Sequence, residues 1–353
     1  MLKETKTHKI FASPTYNYVF DKRNGNFARW GCTHENDPLW SEFGPEILDL
    51  EISTGECLGR CAFCYKENGT PKHETKHMTL ETFEDLLSRM GGNLTQIAFG
   101  ITDVYGNPDF FSIMRHARER GIIPNYTTHG LDLDDFAAEL TAELCGAVAV
   151  SIVNREKSYD AIMRFTEAGM DQINIHCMLS GNRLEFAKKT VGDVSLDPRL
   201  AGIKAIVFLQ YKPKGCNTDS FSTPTLEQFK ELIEYCDDRG VAYGFDSCTA
   251  PLYLEAIQGH PRYEQLEQCV EPCESGLFSS YVNVDGDFYA CSFCEGEQEW
   301  KTGINVFDYE NFNQLWHSPR LGEWRKRLLD NDRACPMYEL GGCCGQKLHN
   351  IQV

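Results

Sequence analysis

Glu56-Cys57-Leu58-Gly59-Arg60-Cys61-Ala62-Phe63-Cys64-Tyr65 places three thiols within eight residues, directly after the stretch 47–52, which reads as a strand. Three closely spaced cysteines make an incomplete ligand set. A [4Fe–4S] cluster normally takes four cysteine thiolates, so a cluster held by three keeps one iron open to a ligand that is not protein. A zinc knuckle is the competing reading. Zinc prefers Cys-x2–4-Cys pairs matched by a second pair or by histidines, whereas this tight triplet precedes a long run of strand and helix patterns.

Working outward, candidate strands at 47–52, 96–100, 123–127, 147–152, 172–178, 203–209 and 241–246 alternate with amphipathic segments. Thr79 has the chemistry of an N-cap for a helix with apolar residues at Leu80, Phe83, Leu86, Leu87 and Met90, stopped by Gly91-Gly92. Phe110, Ile113, Met114 and Ala117 repeat the pattern before Gly121, and Leu226, Phe229, Leu232, Ile233 and Cys236 repeat it before Gly240. Strands alternating with helices predict an α/β chain with a mainly parallel sheet and right-handed crossovers. Six or seven such units suffice for an open barrel and are too few for the closed eightfold one. Cys57 follows Ile52 by five residues, at the C-terminal end of the first strand, where parallel α/β folds place their chemistry.

The chain has 353 residues, enough for two domains or for one large α/β domain with an appendage. No apolar run approaches the roughly 20 residues of a membrane span, and the N-terminal residues lack the apolar core of a signal peptide. A soluble, cytoplasmic protein without a membrane partner is the expectation. Sixteen cysteines in a reducing compartment point to metal binding rather than disulfides. Cys145, Cys177 and Cys236 sit among apolar neighbours and are expected as small buried hydrophobes. A formal charge of −18 repels polyanions and counts against nucleic acid as a partner.

The spacing Cys-x3-Cys-x2-Cys, with Phe63 just before the last cysteine, resembles the signature of the radical S-adenosylmethionine (SAM) superfamily. The resemblance implies a partial (β/α)6 barrel and a [4Fe–4S] cluster on Cys57, Cys61 and Cys64 whose open iron chelates SAM. An electron from the reduced cluster then cleaves the sulfonium, and the 5′-deoxyadenosyl radical formed takes a hydrogen atom from substrate. It implies further contacts. Phe99-Gly100-Ile101-Thr102-Asp103 stands where the family has a Gly-Gly-Glu that meets the amino group of SAM; Gly100 and Thr102 fall at the contact and Asp103 takes the place of the acid, a partial match. Asn107-Pro108-Asp109-Phe110-Phe111 resembles the family's turn into the next helix. Thr127-Thr128-His129-Gly130 resembles a Thr-Thr-Asn-Gly at the third strand's end and would face His129 toward the radical site, although a histidine there is also a common structural hydrogen-bonding group. Ser151 and Arg164 correspond to residues that bind the SAM carboxylate. A guanidinium suits that bidentate task; a solvated helix face is the plain alternative for Arg164. Alternation along the later strands offers His176, Gln210, Tyr211, Lys212 and Asp246 for substrate contact.

Cysteines return at Cys269, Cys273, Cys291, Cys294, Cys335, Cys343 and Cys344. The stretch 281–291 reads as a hairpin turning at Asp285-Gly286. Together with Cys335-Pro336 and Gly341-Gly342-Cys343-Cys344 it resembles the SPASM and shorter twitch domains. That implies a small, cysteine-rich α+β domain over 251–353 with one auxiliary [4Fe–4S] cluster on Cys273, Cys291, Cys335 and Cys344, for which Cys269, Cys294 and Cys343 compete; Cys291-x2-Cys294 is also an ordinary zinc pair. The barrel would occupy 46–250. Residues 1–45, with Trp30, Cys32, His34 and Trp40, are expected to cap it. The function implied is a radical SAM oxidoreductase or modifying enzyme that oxidises or crosslinks a peptide or protein side chain, or else acts on a small molecule (sugar, amino acid or nucleotide), with a reductase such as flavodoxin or ferredoxin as electron donor. A zinc-binding interaction protein is the rival outside enzymes; it predicts zinc and no SAM binding.

Overall fold

Residues 1–33, 37–71, 73–216, 218–331, 333 and 335–339 are described by the computed structural model. Four short strands open the chain: β1 (Leu2–Glu4), β2 (His8–Ala12), β3 (Asn17–Asp21) and β4 (Phe27–Trp30), each antiparallel to the next. Then β5 (Ile47–Glu51) leads into a small antiparallel pair, β6 (Ser53–Thr54) with β7 (Lys76–His77), which pinches off the cysteine loop between them.

From there the chain alternates. Helix α1 (Leu80–Arg89) is followed by β8 (Gln96–Gly100), α2 (Phe110–Glu119), β9 (Ile123–Thr128), α3 (Asp135–Leu144), β10 (Ala147–Ser151) and α4 (Arg155–Glu167). Next come β11 (Ile173–Leu179), α5 (Leu184–Leu196), β12 (Ile203–Gln210), α6 (Leu226–Arg239) and β13 (Tyr243–Phe245). The ends follow local chemistry. The Thr79 hydroxyl accepts from the Thr82 amide at the start of α1, Thr225 and Gln228 form a reciprocal capping box on α6, and Gly240 closes α6 in the left-handed conformation that a side chain resists.

The strands β5, β8, β9, β10, β11, β12 and β13 pair in sequence order and all in parallel. Because the order never reverses, right-handed crossovers put every helix on the same face of the sheet. Leu48, Leu50, Ile97, Phe99, Val148, Val150, Ile175 and Phe208 pack that face against the helices in one apolar core. Among the described residues the other, inner face carries no crossover helix, and on β8, β9 and β10 it holds small and polar side chains, so a singly wound sheet leaves a concavity whose C-terminal rim bears the cysteine loop.

The N-terminal strands pack on the end of this sheet where the parallel strands begin, opposite the cysteine loop. The Tyr16 hydroxyl donates to Glu46, Tyr18 donates to the Asn93 carbonyl and Lys9 to the Leu94 carbonyl. Glu46 and Leu94 lie just before β5 and β8, so the little sheet covers the strand starts. Tyr16, Tyr18 and Phe20 bury alternate rings there, each stabilising the seam by roughly 1.5–3 kcal/mol. Arg29 completes it, its guanidinium bonding both Glu46 oxygens at 2.7 Å above the Phe278 ring.

Helices α7 (Ala250–Ala256) and α8 (Tyr263–Glu267) then lead to β14 (Ser279–Val282), β15 (Asp287–Tyr289) and β16 (Ile304–Asn305). The expected hairpin forms, with Gly286 at φ +83° and the Asn283 side chain accepting from the Asp285 and Asp287 amides. Its placement differs from a free-standing appendage. Strand β14 runs parallel beside β5, so the hairpin continues the main sheet to ten strands. Helices α9 (Phe312–Trp316), α10 (Pro319–Asp330) and α11 (Pro336–Glu339) close the chain's described part, with Trp300, Trp316 and Trp324 buried among them. No helix among the described residues is long and apolar enough to cross a membrane.

Candidate active site

The loop between β6 and β7 is tied to itself by its backbone. The Gly69 amide donates to the Gly55 carbonyl at 2.6 Å, the Gly55 amide to the Asn68 side chain at 2.9 Å and the Cys64 amide to the Cys61 carbonyl at 3.1 Å. Arg60 and Glu67 both adopt positive φ, a strained choice for residues with side chains that recurs at functional turns. Burial, then the neighbouring Cys64 and Cys57 thiols, push the Cys61 thiol up to about 12. Burial also raises Cys64, although the amides of Lys66 and Asn68 aim at its sulfur and pull the other way. Three mutually opposing thiols with N–H groups directed at one of them are a poor set of free thiolates and a fitting set of iron–sulfur ligands, since bound metal offsets their charge.

Against this loop lie the ends of β8 and β9. Thr102 is buried, its amide donating to the Ser53 hydroxyl at 3.1 Å and its carbonyl facing Cys57 Sγ at 3.7 Å. Asp103 accepts from the Leu58 amide and from His129 Nε2 at 2.7 Å. Cys57, Asp103 and His129 thereby present donor atoms within 4.8 Å of one another. Burial works against a charged His129, but its hydrogen bonds to Asp103 and Cys57 outweigh it and hold the imidazole up at about 9. Gly59 is needed here, because a Cβ would sit 2.9 Å from the His129 ring.

Gly100 ends β8 beside Glu51, and Ser151 ends β10 in register with His176 on the inner face. Burial lowers His176 to about 4, keeping it neutral. The Phe63 ring meets Phe221 edge-on and lies under the Arg183 guanidinium. Arg164 is not brought to the site: it ion-pairs with exposed Asp135 at the start of α3. Gln210 and Tyr211 are buried at the end of β12, and Lys212 ion-pairs with Asp246. Two charged residues that spacing alone did not single out do face this region. The Arg183 guanidinium lies over Phe63 and, at 4.1 Å, Phe186, with its buried Nε unpartnered; Asp49 points from β5 into the inner face. The alternation Leu48-Asp49-Leu50 was a legible signal for Asp49, while Arg183 carried none.

The later cysteines fall into two neighbourhoods. Buried Cys273 is pushed up to about 12 by burial and then by the nearby thiols of Cys248 and Cys335; Cys248, in the short helical turn after β13, had no motif to mark it. Cys294 donates to the Cys291 carbonyl at 3.0 Å. Cys269 is exposed and caps α8, Cys32 donates to the Pro14 carbonyl, and Cys145, Cys177 and Cys236 are core residues as expected. Cys343, Cys344 and His34 lie outside the described residues. The Cys291–Cys294 turn is fastened to the first cysteine loop: Tyr65 stacks on Phe293 at 4.3 Å, and Lys66 bridges Glu51 and Glu295.

No protein-family model matches the chain, and no curated protein matches its sequence. Solved structures do. Streptococcus suis SuiB bound to its precursor peptide SuiA superposes with a TM-score of 0.67 at 14% identity, covering 92% of this chain and 90% of SuiB. SuiB bound to S-adenosylmethionine gives 0.66 with the same coverage. anSMEcpe with bound AdoMet gives 0.60 at 18% identity, over 85% of this chain and 86% of that one. This chain therefore shares its fold with SuiB and anSMEcpe.

Proposed function

We propose that the chain is a radical SAM enzyme that modifies a peptide or protein side chain by oxidation or crosslinking. The observation that carries the reading is the Cys57/Cys61/Cys64 loop at the C-terminal end of the first parallel strand, with Asp103 and His129 packed against it. Cys57, Cys61 and Cys64 would hold a [4Fe–4S] cluster and leave one iron for SAM. When bound, cluster and SAM together supply an electron and a 5′-deoxyadenosyl radical able to take a hydrogen atom from substrate.

The chain's own residues have narrower tasks. Asp103 anchors the Leu58 amide and so fixes the turn that carries Cys57 and Cys61. His129, held cationic by Asp103, offers positive charge beside an anionic ligand set. Gly100, Thr102 and Ser151 line the rim where the amino and carboxylate groups of SAM would lie, and Arg183 takes over the cationic part first given to Arg164. Residues 46–250 act as the partial (β/α)6 barrel and 251–353 as the auxiliary-cluster region. Cys273, Cys291, Cys335 and Cys344 remain its proposed ligands, Cys294 still competes beside Cys291, and Cys248 is added by its proximity to Cys273. A flavodoxin- or ferredoxin-like reductase would deliver electrons. A peptide substrate is favoured because SuiB and anSMEcpe were solved with peptides bound.

Iron and sulfide content with EPR of the anaerobic, dithionite-reduced protein, with and without SAM, tests the reading. About eight iron per chain and a SAM-perturbed signal is the expected result for two four-iron clusters. Zinc without iron would return the chain to the interaction-protein reading.

A further inference from the structure

Asp49 lies on the inner face of β5, while its neighbours Leu48 and Leu50 are fully buried on the helix-covered face. Among the described residues no hydrogen bond or ion pair reaches its carboxylate. It sits deep in that face yet stays partly accessible, and desolvation alone lifts its pKa to about 6. Glu51, two residues further on and on the same face, is by contrast held by Lys66 and the Tyr281 hydroxyl. A desolvated carboxylate with no partner is costly, and the fold does nothing to offset it.

Small side chains flank Asp49 on the neighbouring strands. In register across the sheet stand Ala98, Asn125 and Ala147, and one step nearer the rim Gly100, Thr127 and Ala149. Closed parallel barrels fill these layers with Val, Ile and Leu; on β8, β9 and β10 they are Ala, Gly and small polar residues, while on the other side of Asp49 stands Tyr281, its hydroxyl directed to Glu51. Asp49, Ala98, Asn125 and Ala147 all stay partly accessible although they belong to central strands. The floor is shut by the Asn125–Gln96 side-chain hydrogen bond at 3.1 Å and by the N-terminal sheet beyond it. The recess opens toward the Cys57 end.

We propose that this recess receives a cationic side chain of the substrate, a lysine or arginine of a peptide, with its ammonium or guanidinium on Asp49. The inference deepens the peptide reading above and rests on it. A cation is the ligand class that a bare, desolvated carboxylate selects, and the chain's net charge of −18 draws cations toward it. Depth selects a long side chain. Asp49 sits two residues, about 6.6 Å, below the strand end, so the peptide backbone stays at the rim and the methylene groups run up past Gly100 toward Cys57 and His129.

The test uses the anaerobic holoenzyme and two probes, N-acetyl-lysine methylamide and N-acetyl-norleucine methylamide, which keeps the four side-chain carbons and lacks the ammonium, with binding followed by NMR. SAM affinity is measured in parallel. The lysine probe should bind at least tenfold more tightly than the norleucine probe, Asp49→Asn should erase that preference, and SAM affinity should not change. Absence of a lysine preference, or its persistence in Asp49→Asn, overturns the proposal. Loss of SAM affinity in Asp49→Asn without a lysine preference would give the ammonium to SAM itself and also overturns it. The Glu51→Gln variant serves as a second control, because a paired acid on the same face should leave the lysine preference in place. A lysine preference in a protein that holds no iron would keep the site and remove the radical reading, so the two fail separately.

Discussion

Gly215 offers a direct test of how the cysteine loop is held. It adopts φ +79°, and a Cβ there would meet the Cys64 carbonyl oxygen at 2.3 Å and Tyr65 Cα at 2.6 Å. The next residue, Cys216, donates its amide to that same Cys64 carbonyl at 3.0 Å. The segment after β12 is therefore seated on the turn that carries the third cysteine, and only hydrogen fits between them. Gly215→Ala should incur roughly 1–2 kcal/mol for a side chain in left-handed backbone. Separating the segments adds about 1 kcal/mol for the lost hydrogen bond and about 1–3 kcal/mol for forced repacking. Gly240→Ala isolates the first cost, since Gly240 is also left-handed, at φ +61°, with nothing within 4 Å of the added atom. Gly215→Ala should thus be about 2–4 kcal/mol less stable than Gly240→Ala, read as the difference in urea midpoint at constant slope. It should also lose iron faster on anaerobic gel filtration. Equal midpoints for the two variants would refute the seating of this segment on the loop.

Replacing Cys57, Cys61 and Cys64 together by Ala should abolish SAM cleavage but leave iron bound by the later cysteines; persistent cleavage, read by chromatography of 5′-deoxyadenosine, would remove the triplet from the mechanism. Arg29→Ala strands Glu46, whose side chain is 2% exposed, and should destabilise the seam by about 3–5 kcal/mol, with Glu46→Gln in the same chain restoring part of the urea midpoint. Asp49 has a folded pKa raised from 3.8 to about 6, so the stability it contributes is complete below pH 3.8 and is lost as pH rises through about 6. Asp49→Asn should accordingly gain stability over the parent between pH 4 and 7, by at most about 3 kcal/mol and less where water wets the recess; parallel pH profiles for the two proteins would contradict the desolvated carboxylate.

The parallel strands were legible because their signal is local: β5, β8 and β10 begin at the first residues of the candidate strands, and Thr79 announces its helix by side-chain chemistry. What depended on distant contacts was not. Tyr16, Tyr18 and Phe20 alternate as a strand should, yet nothing in three aromatic residues tells which end of a sheet they will cover. Arg164 had the expected spacing and faces Asp135, whereas Arg183 had none and lies on Phe63, because helix phase and loop path, not separation along the chain, decide where a guanidinium points. Cys248 reaches Cys273 through the packing of the segment after β13 on the C-terminal region, a tertiary outcome invisible in cysteine spacing.

The pairing of β14 with β5 has a consequence for how the two cysteine regions communicate. With the hairpin zipped onto the first strand, the Cys291–Cys294 turn is delivered to the Tyr65 side of the cysteine loop, where Phe293 stacks on Tyr65 at 4.3 Å and Lys212 lies 4.6 Å over the Phe293 ring. Phe293→Leu keeps an apolar side chain but removes both ring contacts, worth about 0.5–1.5 kcal/mol for the aromatic pair and about 0.5–2 kcal/mol for the cation. The sheet itself is untouched, so the loss should fall on the turn rather than on global stability. Faster exchange of the Cys294 amide, which donates to the Cys291 carbonyl at 3.2 Å, with an unchanged urea midpoint, is the expected signature. A lowered midpoint with unaltered exchange would mean that Phe293 serves the core, and that the contact with Tyr65 does not hold the second cysteine turn against the first.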